Sequence, residues 1–158
     1  MVTESKSKAT KVKFEEGDVF VVPLRSHGYG LGLIARKNKD IILGYFFNIR
    51  FDELPGCIDY DLLEKHRVIF AKQFGSPGLK GGTWVIIGHL QNWKREDWPV
   101  PTFCREDPLL GIYFAVHYND NLECIGEEKI PESLAAKMYK DSLAGYGSIE
   151  KTLTEFHG

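Results

Sequence analysis

Apolar residues fall along this chain in short blocks set off by glycine, proline and polar clusters, the pattern of strands and turns more than of amphipathic helices. After the turn residue Gly17, positions 19–22 (VFVV) form a continuous apolar run of the kind a buried strand shows. Pro23 limits that run or places it at a sheet edge. Residues 29–36 and 41–48 read as a hairpin around the polar turn KNKD. With Arg36 opposite Ile41, Gly32 would face Tyr45 and Gly30 would face Phe47, so that rings cover the bare glycine backbone.

Residues 68–74 and 84–90 read as two further strands, with the glycine-rich turn GSPGLKGG between them. Residues 112–118 and 122–126 form a second hairpin through Asn119, Asp120 and Asn121. A helix is expected from Pro131 to about Lys140, with Leu134 and Met138 four apart on one face. From Gly147 onward the pattern is two-sided. Ile149, Leu153 and Phe156 fit a helix, whereas Ile149, Lys151 and Leu153 alternate as a strand does; the segment is read as the start of a strand.

Two stretches lack a period. Residues 51–66 are irregular, or hold a short helix near 60–65, and carry Asp52, Glu53, Asp59, Asp61 and Glu64 with no basic residue between them. Residues 91–111 show no clear period over about twenty positions, a length at which a connection is usually functional or disordered. Their tryptophans and prolines favour order. The fold class expected is mostly β (α+β), one antiparallel β-rich domain with two hairpins, a long ordered Trp/Pro loop and one or two short helices.

Length and composition fit that picture. A chain of 158 residues suits one domain able to bury a core, and 13% aromatic residues with 16 glycines lean toward strands and tight turns. Residues 1–13 carry four lysines, one glutamate and no apolar run, so they read as a flexible basic tail, with residues 14–158 as the single domain. No secretory signal pattern and no membrane-length apolar run is present, so a cytoplasmic location is expected. Charge narrows the partners. The chain as a whole is −2, but residues 14–158 hold 16 basic and 21 acidic residues, a net −5. That balance opposes direct nucleic-acid binding, which draws on cationic groups, and suits a basic protein partner.

Candidate chemistry is sparse. Cys57, Cys104 and Cys124 are odd in number and widely spaced, and read as reduced, mostly buried thiols. His27, His66, His89, His117 and His157 make neither His-x-His nor His-x-x-x-His, so neither a metal nor another cofactor is expected. His89 and His117 lie in predicted strands as partly buried, satisfied imidazoles. The glycines at 28, 30 and 32 lack phosphate-loop spacing and sit in a strand. An enzyme would have to pair His89 with Asp97, Cys57 or Cys104, or use Asp97 with Asp107 or Asp59 with Asp61 as acid and base. Solvated acids and structural residues are the readier explanation. Trp93 and Trp98 flank Lys94, Arg95, Glu96 and Asp97, an alternation of aromatic anchors and charges found at interfaces and equally in rings that pin a loop to a sheet.

Several stretches together resemble a known family. GDVF (17–20), YGLGLIAR (29–36), GYFF (44–47), FGSPGL (74–79) and above all IGHLQNWKREDWPVPTFCREDPLLG (87–111), with two tryptophans five apart and a Pro-x-Pro, are similar to the polymorphic-toxin immunity proteins often called immunity protein 26. The resemblance implies a mostly β bacterial protein that binds and blocks a cognate toxin of a contact-dependent or secreted system, often a nuclease, without catalysis. It carries no contact residues with it. The acidic character of the body selects Asp52, Glu53, Asp59, Asp61 and Glu64, with Glu96, Asp97 and Trp98, as the toxin-binding candidates. The alternative is a small hydrolase or nucleic-acid-processing enzyme using His89 with Asp97 or Cys104.

Overall fold

A computed structural model describes residues 12–158, so most of the expected tail, residues 1–11, lies outside the described residues. The N–H of Val12 donates to the carbonyl of Lys80. Ten strands follow in chain order: β1 (Asp18–Pro23), β2 (Tyr29–Asn38), β3 (Ile41–Phe51), β4 (Val68–Gly75), β5 (Val85–His89), β6 (Phe103–Asp107), β7 (Ile112–Tyr118), β8 (Cys124–Ile130), β9 (Tyr139–Lys140) and β10 (Leu143–Ala144). They form a six-stranded sheet in the order β10-β4-β3-β2-β1-β5 and a four-stranded sheet in the order β8-β7-β6-β9. Pairing is antiparallel except for β10 on β4 and β9 on β6. Three short helices complete the mostly β architecture: α1 (Pro77–Lys80), α2 (Glu132–Ala135) and α3 (Tyr146–His157).

The first sheet is covered on both faces, which is why its central strands read as continuous apolar runs. One face carries Phe20, Ile34, Phe46 and Phe74 against Trp84, Ile149 and Leu153, the last two from α3. Phe20 and Trp84 stack at 5.6 Å. The other face carries Leu31, Leu33, Tyr45 and Phe47 against Trp98, against Phe103 of the second sheet and against Leu122 of the turn between β7 and β8. A smaller cluster of Cys104, Ala115, Ile130 and Ala135 holds α2 to the far side of the second sheet.

Several expectations are corrected. Strand β1 lies inside the sheet between β2 and β5, and Pro23 stands at its end, past the last pairing with β5. The first hairpin turns at Lys39, whose φ of 54° lies in the left-handed region, and its strands run further than expected. Irregularities between Gly30 and Leu31 and between Ile34 and Arg36 shift the register, so that Arg36 faces Leu43, Gly32 faces Phe46 and Gly30 faces Arg50. A ring still covers Gly32, but it belongs to Phe20 on the neighbouring β1. Hydrophobic alternation cannot reveal a bulge, because each one inverts the alternation locally.

Trp84 precedes β5 rather than belonging to it, and the aperiodic 91–111 stretch contains a 3-10 turn (Arg95–Asp97) and all of β6. The second strand of the later hairpin begins at Cys124, two residues past the expected start. Asn119 Oδ1 accepts from the N–H groups of Asn121 and Glu123, and Leu122 takes a φ of 62° with its side chain buried, so the turn consumes the residues assigned to the strand. The helix after Pro131 stops at Ala135, because residues 139 and 140 pair with Phe103 and Cys104 instead. From Tyr146 the chain is a helix, not a strand, with Ile149 and Leu153 buried on its inner face. Only Cys104 is buried; Cys57 and Cys124 are exposed thiols.

Candidate functional site

The acidic segment is irregular yet pinned. Asp59 Oδ1 accepts the N–H of Asp61 and so caps a 3-10 turn (Tyr60–Leu62), while a second such turn (Lys65–Arg67) leads into β4. Leu63 enters the core between them, with Ile58, Tyr60 and Leu62 packed beside it. The Tyr60 hydroxyl lies over Gly88, where a Cβ would collide with it, and accepts the N–H of His89 at 3.2 Å. Asp52, Glu53, Asp59, Asp61 and Glu64 are all exposed. Basic neighbours outside the segment temper two of them: Arg50 bonds Asp52 at 2.6 Å, and Glu64 lies 3.4 Å from His66 and 3.9 Å from Arg67. Exposed pairs of this kind contribute at most about 1 kcal/mol each. Asp52 and Glu53 also line an open depression with His27 and Leu54.

The remaining candidates divide. Glu96 and Asp97 are exposed on the 3-10 turn that follows Lys94. Trp98 is 5% exposed, its ring edge-on to Tyr45 at 5.2 Å and to Phe47 at 5.8 Å, so in this conformation it serves the core and offers a partner no surface.

Four of the five stretches that carry the family resemblance meet around Trp98; FGSPGL packs on the opposite face of the first sheet with Trp84. Arg36, 2% exposed, donates through Nη1 to the carbonyls of Ala35 and Trp98, through Nη2 to that of Arg95, and through Nε to Asp120 Oδ1 at 2.9 Å. Arg95 in turn grips Glu16 with two bonds of 2.8 and 2.7 Å and lies 3.9 Å from Asp120. The bidentate bond to Glu16 holds the Arg95 guanidinium above its ordinary pKa. Gly17, at a φ of 92°, accepts the N–H of Leu90 and leaves no room for a side chain beside His89 and Trp93. The Tyr45 hydroxyl donates to the Pro99 carbonyl, and burial, with a smaller effect of Tyr139 partly opposed by Arg36, pushes its pKa up to about 12. This node fastens the long loop to both sheets. Spacing could not reveal it, because Glu16, Arg36, Arg95 and Asp120 are distant in sequence and exchange partners only once the sheets are stacked.

His89 and Cys104, paired in the enzyme alternative, each bond other partners. His89 Nδ1 bonds Asp18 Oδ1 at 2.9 Å, with Glu15 at 3.9 Å, while the Cys104 thiol points at the Ala135 carbonyl on the opposite side of the second sheet. Ligand-type atoms of Glu15, Asp18 and His89 do converge within 4.8 Å, a grouping that histidine spacing did not foretell. Asp18 is already satisfied there, since its other oxygen accepts the N–H of Glu15 at 2.8 Å. His117, as expected, is a half-buried strand residue, bonded to Thr102 and 3.5 Å from Glu128. A groove of about 460 Å³ runs between β4, β9 and α3, lined by Phe70, Lys72, Tyr139 and Ile149, and burial lowers the Lys72 pKa. No helix among the described residues is long and apolar enough to cross a membrane.

A family model described as immunity protein 26 matches residues 15–111, more than half of the chain. The match spans β1 to β6 and the whole Trp98 node except Asp120. No curated protein and no solved structure matches the chain.

Proposed function

The chain belongs to the immunity protein 26 family, and from that premise we propose that it neutralises a cognate toxin by stoichiometric binding, without catalysis. The toxin is a basic domain, a nuclease of a contact-dependent or secreted bacterial system, met in the cytoplasm by residues 14–158 acting as one unit. The carrying observation is the exposed acidic segment 52–64, held in one conformation by Asp59, Tyr60 and Leu63. Carboxylates on a pinned backbone meet a phosphate-binding surface with complementary potential and a reduced ordering cost. Glu96 and Asp97, exposed on their own 3-10 turn, are taken as further contacts, whereas Trp98 is buried against Tyr45 and Phe47.

The test is association with the toxin domain encoded beside this gene, measured by stopped flow at several salt concentrations. Glu53→Lys with Asp61→Lys spares the Asp59 cap and the Arg50–Asp52 pair, and should slow association about tenfold or more at low salt with little effect at high salt. An unchanged rate would remove the acidic segment from the interface. A wild-type protein that neither binds nor protects cells would sink the immunity reading itself.

A further inference from the structure

The flank of the second sheet stands apart from the rest of the molecule. In β8 every residue from Cys124 to Lys129 is exposed, on both faces of the strand, and only Ile130 is buried. Among the described residues β8 pairs with β7 alone, so its outer edge presents backbone groups that no described strand pairs. Ile125 is 66% exposed on it, and the β6–β7 turn carries Leu109 and Leu110 at 94% and 69%. Residues 103–135 hold seven acidic residues and two basic ones, a net −5, and one of those bases, Arg105, is already paired with Glu127 while stacked on Phe114.

We propose that this flank, the outer edge of β8 with the Leu109–Leu110 tip, is a docking surface for a cationic strand or loop of the toxin. The inference rests on the immunity reading and locates a second contact region for it; the β7–β8 turn at one end of the strand touches Arg95 through Asp120. Charge selects the occupant. An edge-to-edge pair of two copies of this chain would bring Glu127 and Glu128 against the same residues of its mate, and like charges facing one another across strands are destabilising. A cationic partner turns that repulsion into attraction, while backbone pairing supplies affinity and alternate side chains supply register, as in other additions to a sheet edge. The apolar tip offers the kind of anchor that binding energy concentrates on.

Hydrogen exchange of the full chain, free and with the toxin domain encoded beside the gene, is the test. In the complex the amides of residues 124–130 should exchange about tenfold more slowly or better. Ile125→Lys with Glu128→Lys, both exposed and clear of the Arg105–Glu127 pair, should weaken binding about tenfold or more with an unchanged melting temperature. The Glu53→Lys, Asp61→Lys protein should keep the β8 protection at saturating toxin. Exchange in β8 that is unaltered in the complex overturns the proposal. Protection that appears in the isolated protein and grows with concentration assigns the edge to a second copy and overturns it as well. Absence of any complex overturns the immunity reading and this inference together.

Discussion

Strands β3 and β8 are both paired in antiparallel hairpins, yet β3 buries seven of its eleven residues and β8 one of its seven. Among the described residues β3 is hydrogen-bonded to a neighbour on each edge and β8 on one edge, but the larger difference lies in what covers them. Strand β3 is roofed by Trp84 and α3 on one side and by Trp98 and Phe103 on the other. Strand β8 is covered only at Ile130, by α2. Net backbone hydrogen bonding adds only about 1 kcal/mol per bond, whereas full burial of a large apolar side chain is worth about 1.5–3 kcal/mol. Stability therefore resides in the first sheet, and the flank of the second is released to carry charge and apolar side chains that serve the fold little.

The largest effect expected on that contrast comes from Trp84. Its ring stacks on Phe20, meets Phe74 at 5.2 Å and donates from Nε1 to Glu150 at 2.9 Å, so it joins the sheet to α3. Trp84→Ala should lower the unfolding free energy by about 3–5 kcal/mol in urea. Phe114→Ala, which removes a ring of the second sheet that is only half-buried, should cost far less. Equal losses would break the comparison.

Arg36 comes next. Arg36→Met keeps the stem but orphans the carbonyls it serves and leaves Asp120 without its closest partner, a loss of about 2–4 kcal/mol in the same measurement. Asp120→Asn, at an exposed position, should cost about 1 kcal/mol or less. If the two changes were equal, the node would be a surface ion pair and not the fastening between sheets.

How much of this was legible follows from the same contrast. Runs such as VFVV and the first hairpin announce themselves because burial on both faces leaves an uninterrupted apolar signal. Strand β8 was misplaced because GEEK offers no alternation; only its pairing with β7 makes it a strand. Strand β6 was hidden in a stretch whose order depends on Arg36 and Tyr45, contributed from elsewhere. The final helix was misread because Ile149 and Leu153 satisfy both periods, and what the helix packs on, including Gly30 whose missing side chain admits Leu153, is distant in sequence. Of the candidate site, the exposure of the acids was legible in their composition. Their fixation through Tyr60 and the burial of Trp98 were not.

Alkaline titration probes the core side of the contrast at a smaller scale. Tyr45 has its pKa raised from 10 to about 12 by burial, so above pH 10 the unfolded chain loses this proton more readily than the folded one. The contribution is intact below pH 10 and is lost as pH rises toward 12. Tyr45→Phe should flatten this limb when urea stability is followed against pH with tyrosinate absorbance. Tyr118, raised by burial and by its bond to Asp141, and Tyr139, raised by burial, should leave a residual slope. Smaller again is Gly88→Ala, whose new methyl meets the Tyr60 hydroxyl. It should cost about 1 kcal/mol, and Tyr60→Phe in the same chain should recover part of that by removing the colliding oxygen.

The smallest effect sharpens the comparison most. Leu109 and Leu110 sit at the tip of the β6–β7 turn, where Asp107 Oδ1 accepts the N–H of each, at 3.0 and 3.3 Å, and the Asp107 carbonyl accepts that of Gly111. The turn is thus built by Asp107 and Gly111, whose φ of 66° suits glycine, and not by the leucine side chains. Leu109→Ser with Leu110→Ser leaves every one of those bonds in place and removes apolar surface already in water. Stability should change by less than about 0.5 kcal/mol in either direction. A loss of 2 kcal/mol or more would mean that the tip is packed in solution, and the flank of the second sheet would then belong with the core it is contrasted with.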